Sequence, residues 1–328
     1  MRRRVRPTNS LALLALLSLL GSCSDGSGNF DAEGRPPLVL GFSQPVVEAH
    51  WNAANTESIR KAAKDAGVKL LLEDAHHSQE KQVAALRSFV GQRVDVIAFS
   101  PVVENGWDVV LREIRAAGIP VVLMDRTIET TDESLYASLI GSDFVEEGRR
   151  AARWLLENTR DAPGEIGIVE LQGSVGSAPA NDRRKGFVEV ITTERRYRII
   201  RSQSADFDHA RAREIMTEFL RADGRRIRVV FAHSDTMALG AIEAIEAAGF
   251  KPGSDVLVIS IEGSRSGLEA IGAGKLNVSF ECSPMLGPQL MAVVKDLAAG
   301  KQVPRRVISK ESEFTRDNAA AELPNRAY

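Results

Sequence analysis

The residues of this chain best placed to do chemistry stand at or soon after the ends of short apolar runs. They are Ser43, Glu48, Trp51, Asp125, Arg126, Asp143, Arg183, Ser234, Asp235, Glu262 and Glu281. Carboxylates accept hydrogen bonds from neighbouring hydroxyls, and arginine offers oxygen a planar fork of donors. An aromatic face such as Trp51 covers the C–H side of a ring. Together the set suits an uncharged polyol, because the adjacent Asp125-Arg126 compensate each other once water is excluded. Plainer uses exist for single members. Asp143 and Asp235 stand where a helix N-cap belongs, Trp51 could be core, and Asp125-Arg126 a surface ion pair.

The elements that must carry these residues alternate regularly. Strand-like runs at Leu38–Ser43, Val68–Glu73, Asp95–Ser100 and Pro120–Met124 are separated by helical patterns at Trp51–Ala66, Gln79–Val90 and Asn105–Ala117. After Leu135–Ile140 the alternation resumes. Strands are predicted at Glu165–Leu171, Tyr197–Ser202, Arg228–His233 and Asp255–Ile261, with helices at Phe144–Asn158, Pro179–Glu194, His209–Ala222 and Thr236–Ala248. A last helix, Met285–Ala299, carries an apolar stripe. Near-continuous apolar strands joined by helices imply parallel sheets covered on both faces. Two such runs predict an α/β protein of two similar lobes, each doubly wound, with ligand chemistry at the carboxyl ends of the strands and therefore in a cleft between them.

The N-terminus points out of the cytoplasm. Arg2, Arg3, Arg4 and Arg6 precede the ten-residue apolar run Leu11–Leu20, followed by Gly21-Ser22-Cys23. That run is shorter than the about 20 residues a spanning helix needs and fits the core of a secretory signal. Leu20-Gly21-Ser22-Cys23 resembles a bacterial lipobox, making Cys23 the expected site of lipid attachment. An ordinary signal peptide with an incidental cysteine is the alternative. The polar, glycine-containing stretch Ser24–Pro37 reads as a tether. The chain's other cysteine, Cys282, is expected to be a small buried residue, so the folded part is without an internal disulfide.

Composition excludes several classes. With 44% hydrophobic and 26% charged residues the 328-residue chain can build a large core. From a net charge of -2, loss of the four leader arginines leaves -6, a poor match for nucleic acid. The five histidines (His50, His76, His77, His209, His233) show no metal-ligand spacing, Gly263–Gly267 has Arg265 where a nucleophile elbow needs serine, and Gly272–Lys275 is not a phosphate loop. A glycosidase would need two carboxyl groups about 5–10 Å apart, one with raised pKa; no motif singles out such a pair. No catalytic residue, metal or cofactor is expected.

Leu38–Gln44 (LVLGFSQ), Phe99–Val103 (FSPVV), Met124–Ile128 (MDRTI), Val169–Gly173 (VELQG), Asp182–Phe187 (DRRKGF) and Ile200–Asp206 (IRSQSAD) resemble the periplasmic sugar-binding proteins of ABC importers, nearest their galactofuranose-binding branch. The resemblance runs from about Leu38 to Tyr328. It implies the type I periplasmic-binding fold: two Rossmann-like lobes with parallel sheets, joined by a hinge of three crossings and closing on the ligand. The implied layout is a signal over 1–22, a tether over 23–37, one lobe from 38–138 with 283–306, and the other from 139–282 with 307–328. It carries ligand contacts onto Glu48, Asp125, Arg126 and Arg183, with Trp51 also kept. Three positions depart: Asn52 replaces an arginine, Ser234 an asparagine and Glu262 an aspartate.

The implied activity is capture of a galactofuranose-like monosaccharide and delivery to a permease and ATPase complex, by a monomer tied to the membrane through lipid alone. A sensor kinase or chemoreceptor is the alternative partner. The same fold senses ligands in LacI-type repressors, but those begin with a helix-turn-helix, and this chain begins with a signal.

Overall fold

In a computed structural model of the chain, residues 37–46 and 50–328 are described. Cys23, Glu48, the leader and nearly all of the tether lie outside them. The first lobe runs β1 (Val39–Gln44), α1 (His50–Ala66), β2 (Lys69–Asp74), α2 (Gln79–Gly91), β3 (Val96–Phe99), α3 (Asp108–Ala116), β4 (Val121–Met124) and β5 (Ser138–Gly141). The second runs α4 (Phe144–Asn158), β6 (Ile166–Gln172), α5 (Ala178–Ile191), β7 (Tyr197–Ser204), α6 (His209–Asp223), β8 (Ile227–Ala232), α7 (Asp235–Ala247), β9 (Leu257–Glu262), α8 (Arg265–Gly272) and β10 (Val278–Glu281). The chain then returns through α9 (Gly287–Ala298), β11 (Arg306–Ile308), β12 (Glu313–Thr315) and α10 (Ala319–Glu322).

The sheet orders are β11-β5-β4-β3-β1-β2 and β12-β10-β9-β8-β6-β7, and among the described strands only β12 runs antiparallel to its neighbour. Without the edge strands the two orders are one order repeated, so β1 to β5 correspond in turn to β6 to β10. Each sheet reverses winding beside its first strand, the switch point where such folds bind ligands. Because every central strand is buried on both faces, β3 and β4 are wholly apolar, and their residues alternate between two cores. Val96 and Ala98 face α1 and α9, while Ile97 and Phe99 face α2 and α3. The second sheet is sandwiched likewise, by α4 and α5 on one face and α6, α7 and α8 on the other.

The repeat reaches into the loops. Ala75 after β2 and Ala205 after β7 each donate N–H to the last residue of the neighbouring first strand, Gln44 and Gln172, at 2.9 Å. Each is followed by two residues of positive φ, His76-His77 and Asp206-Phe207, and then by a helix cap, Ser78 or Asp208.

Three differences from the sequence reading are structural. The expected lobe boundaries at 138/139 and 306/307 fall inside strands: β5 and β11 pair with each other in the first sheet, so the chain crosses at about Ser142 and Ser309. The short α8, β11, β12 and α10 were not predicted; with three to eight residues each they are too brief to show a period. The helix expected from Asn105 begins at Asp108, since the preceding loop is held by Gln82 (below).

Candidate functional site

The carboxyl ends of both sheets face one cleft of about 910 Å3. Of the predicted residues, Trp51, Asn52, Asp125, Arg126, Arg183 and Glu262 line it.

Asp125 follows β4 with φ of 62°, and Arg126 N–H donates back to the Met124 carbonyl at 2.6 Å. A three-residue turn centred on a left-handed residue is strained, and aspartate tolerates it better than most. The turn points Arg126 into the cleft. Its Nε lies 3.5 Å from the Asp125 carboxylate, within ion range but with no hydrogen-bond partner among the described residues, although the side chain is only 11% exposed. Burial pushes the Asp125 carboxyl up, opposed by the Arg126 guanidinium beside it.

Arg183, on α5, is buried against its own lobe. It donates from Nε to Glu147 of α4 at 2.7 Å and from Nη1 to the His233 carbonyl at 2.8 Å, and its guanidinium lies over the Phe144 ring at 5.0 Å. Against burial, the Glu147 carboxylate holds it firmly protonated, well above its ordinary range. The ring and the ion pair lock the fork, leaving its other edge toward the cleft.

Glu262 ends β9 with φ of 119° and accepts from the Asp235 N–H at 3.2 Å. Burial, reinforced by the nearby Asp235 charge, pushes its carboxyl up to about 8. Trp51 packs against the apolar cores of both lobes and donates Nε1–H to the Cys282 carbonyl at 2.7 Å.

Five predicted residues are placed elsewhere. Ser43 is buried within the first lobe, accepting from Gln82. Asp143 caps α4 through the Glu146 N–H at 3.0 Å, the plainer reading above. Ser234, not Asp235, caps α7, accepting from the Met237 N–H at 3.2 Å. Asp235 is fully buried, and its carboxylate takes donors from Ser260, Ser279 and both the N–H and hydroxyl of Ser264. Glu281 is tied to Arg326 at 2.7 Å and to the Ser312 N–H at 2.9 Å. Strand ends in a twisted sheet alternate faces, so residues at the end of a run need not point outward.

Sequence reasoning missed two aromatic walls, Phe144 and Phe207. Phe144 opens a helix and reads as core. Phe207 stands in a loop, but Gly173 marks it: a Cβ there would sit 1.9 Å from the Phe207 ring. Cys282 lies just past β10 on the crossing, buried, with its thiol pushed up by burial. It meets Ser142 Oγ at 3.3 Å, and Ser142 also donates to Glu311 on the third crossing. One residue from each crossing thus joins a hydrogen-bonded chain. Glu147, Cys282 and Glu311 bring potential ligand atoms within 4.8 Å, but the Arg183 guanidinium already answers Glu147.

Several charges of the cleft come in opposed or neutral form: Asp125 with Arg126, Arg183 with Glu147, Asp206 with Arg211, and Glu262 with a raised pKa. With Trp51, Phe144 and Phe207 they form a wall of apolar faces and hydrogen-bonding groups suited to an uncharged polar molecule.

Residues 40–302 match the family model described as periplasmic binding protein domain. Over 290 residues the chain is 41% identical to the galactofuranose-binding protein YtfQ of Escherichia coli, covering 88% of this chain and 91% of that one. A solved structure from Mycobacterium smegmatis, in complex with β-D-fucofuranose, is 48% identical with a TM-score of 0.85, covering 88% of this chain and 94% of the other. The periplasmic binding protein of the arabinose ABC transporter from Shewanella sp. ANA-3, bound to α- and β-L-arabinofuranose, is 40% identical with a TM-score of 0.84, covering 88% and 95%. With its two lobes, its cleft and a family match over most of its length, this chain belongs to the periplasmic binding protein domain family.

Proposed function

We propose that this chain captures a neutral monosaccharide in five-membered-ring form between its lobes and delivers it to an ABC importer. The observation that carries the reading is one cleft lined by Asp125 and Arg126 of the first lobe and by Arg183 and Glu262 of the second, together with the aromatic faces of Trp51, Phe144 and Phe207. The ring oxygen and hydroxyls of a sugar supply the acceptors and donors that such side chains call for. The relatives support the ring form, since galactofuranose, fucofuranose and arabinofuranose share it.

Ligand bridges Asp125 and Arg126 of one lobe and Arg183 and Glu262 of the other, favouring the closed form by its contacts there. Opening at the permease releases it, and no bond is made or broken. Of the three departures from the galactofuranose pattern, Ser234 is buried as a helix cap, so Asn52 and Glu262 are where specificity differs. Outside the described residues, Cys23 carries a lipid that tethers a monomer outside the cytoplasm; a Cys23→Ser variant then moves from the membrane to the soluble fraction.

A thermal-shift screen with galactose, fucose, arabinose, ribose and fructose tests the reading. A ligand raises the melting temperature by mass action. One or more of the first three sugars is expected to do so; no shift with any of the five would overturn it.

A further inference from the structure

The lobes also touch each other directly, beside the cleft. The loop after β3, residues 100–107, is fixed to its own lobe. Gln82 donates to the Ser100 carbonyl at 2.8 Å and accepts from the Val102 N–H at 3.0 Å. Trp107 Nε1–H donates to Val103 O at 2.7 Å, and the Glu129 N–H to Glu104 O at 2.7 Å. The facing loop after β6 is braced by Ser177, whose N–H and hydroxyl both donate to the Ser174 carbonyl, at 3.2 and 2.7 Å. Between these stiff edges the Glu104 N–H donates to the Gly176 carbonyl at 3.2 Å, and Asn181 Nδ2–H donates to the Glu104 carboxylate. Neither Glu104 nor Asn181 lines the cleft.

We propose that Glu104 is a positioning residue for capture: its carboxylate, gripped by Asn181 on the other lobe, is a latch that sets how far the closed form is populated. A contact made only in the closed form multiplies the affinity for every ligand by one factor, because it changes the competent fraction and not the fit. A residue that touches the ligand changes affinities unequally. The latch therefore sets affinity while leaving selectivity to the cleft. The Glu104 backbone bond to Gly176 survives side-chain replacement, so the variants test the carboxylate alone.

The proposal rests on the sugar-binding reading, and its test separates the two. Glu104→Ala, Asn181→Ala and the double variant are titrated calorimetrically with two sugars that bind the parent protein, and the unliganded proteins are compared by small-angle X-ray scattering. Each single variant is expected to weaken both sugars equally, by about 3- to 10-fold. The double variant is expected to be no weaker than either single one, and the unliganded variants to show a larger radius of gyration. Unchanged affinity, a changed ratio between the sugars, or an unchanged radius of gyration overturns the latch. If no sugar binds the parent, the sugar-binding reading fails while the scattering comparison still decides the latch.

Discussion

Asp125 and Glu262 occupy the same place in two copies of one sheet. Asp125 follows β4 and Glu262 closes β9, the fourth strand of each lobe, and both have positive φ, 62° and 119°. Each carboxylate lines the cleft from its own side. Backbone strain of this kind costs on the order of 1–3 kcal/mol per residue and persists where surrounding structure demands it. Here two equivalent strand ends bear it, and the groups they present line one cleft.

The Glu262 carboxyl, pushed up to about 8 by burial and by Asp235, gives a pH dependence of stability. So does Glu311, pushed up to about 8 by burial and by Glu147. A raised carboxyl stabilises the fold fully below its unfolded value and loses that contribution as pH rises through the folded value. The melting temperature of the unliganded protein is expected to fall from about pH 4.5, the ordinary carboxyl value, to about pH 8 and to level off above it. Glu262→Gln and Glu311→Gln should each flatten that fall; slopes matching the parent would contradict the assignment.

Replacing Arg126 with alanine removes a charge-assisted donor, a loss of about 1.5–3 kcal/mol, or roughly 10- to 150-fold in affinity. Isothermal titration with the sugar found by the thermal screen measures it. An affinity within twofold of the parent would place the ligand elsewhere.

The Arg183–Glu147 pair is almost wholly buried, at 4% and 1% side-chain exposure. Glu147→Leu leaves a guanidinium inside the lobe without its counter-charge, which costs about 3–5 kcal/mol. Urea unfolding of the unliganded variant should show this loss. A midpoint like that of the parent would mean that Arg183 finds another partner.

Helices α4 and α5 cross at glycine. A Cβ on Gly186 would lie 1.9 Å from the Val145 carbonyl oxygen, whereas one on Gly91, at the end of α2, meets nothing within 4 Å. Gly186→Ala is expected to lose about 1–3 kcal/mol by overpacking, and Gly91→Ala to be neutral or slightly stabilising. Thermal unfolding of both variants tells local crowding from a general effect of the substitution.

Much of this was legible in the residues. Buried parallel strands announce themselves as apolar runs, so β1 through β9 were readable, and the match of LVLGFSQ, MDRTI and DRRKGF led to the right family. The cleft was legible where a charged residue follows a strand directly, as at Asp125-Arg126. It was not legible where a polar side chain turns inward to satisfy its own lobe, as Asp235 does with three serines and Glu281 with Arg326. Phe207 was hidden because its role depends on a left-handed loop that mirrors His76-His77, a correspondence visible only once the sheets are compared.

Capture of a five-membered-ring sugar is the central claim, and NMR of a 13C-labelled sugar bound to the protein tests it most directly. Free galactose or arabinose is mostly pyranose in water, so selection of a minor form is visible in the anomeric carbon signals. With either sugar at substoichiometric amounts, the bound signals are predicted to be those of the furanose. Pyranose signals in the bound state, unchanged on adding excess protein, would contradict the account.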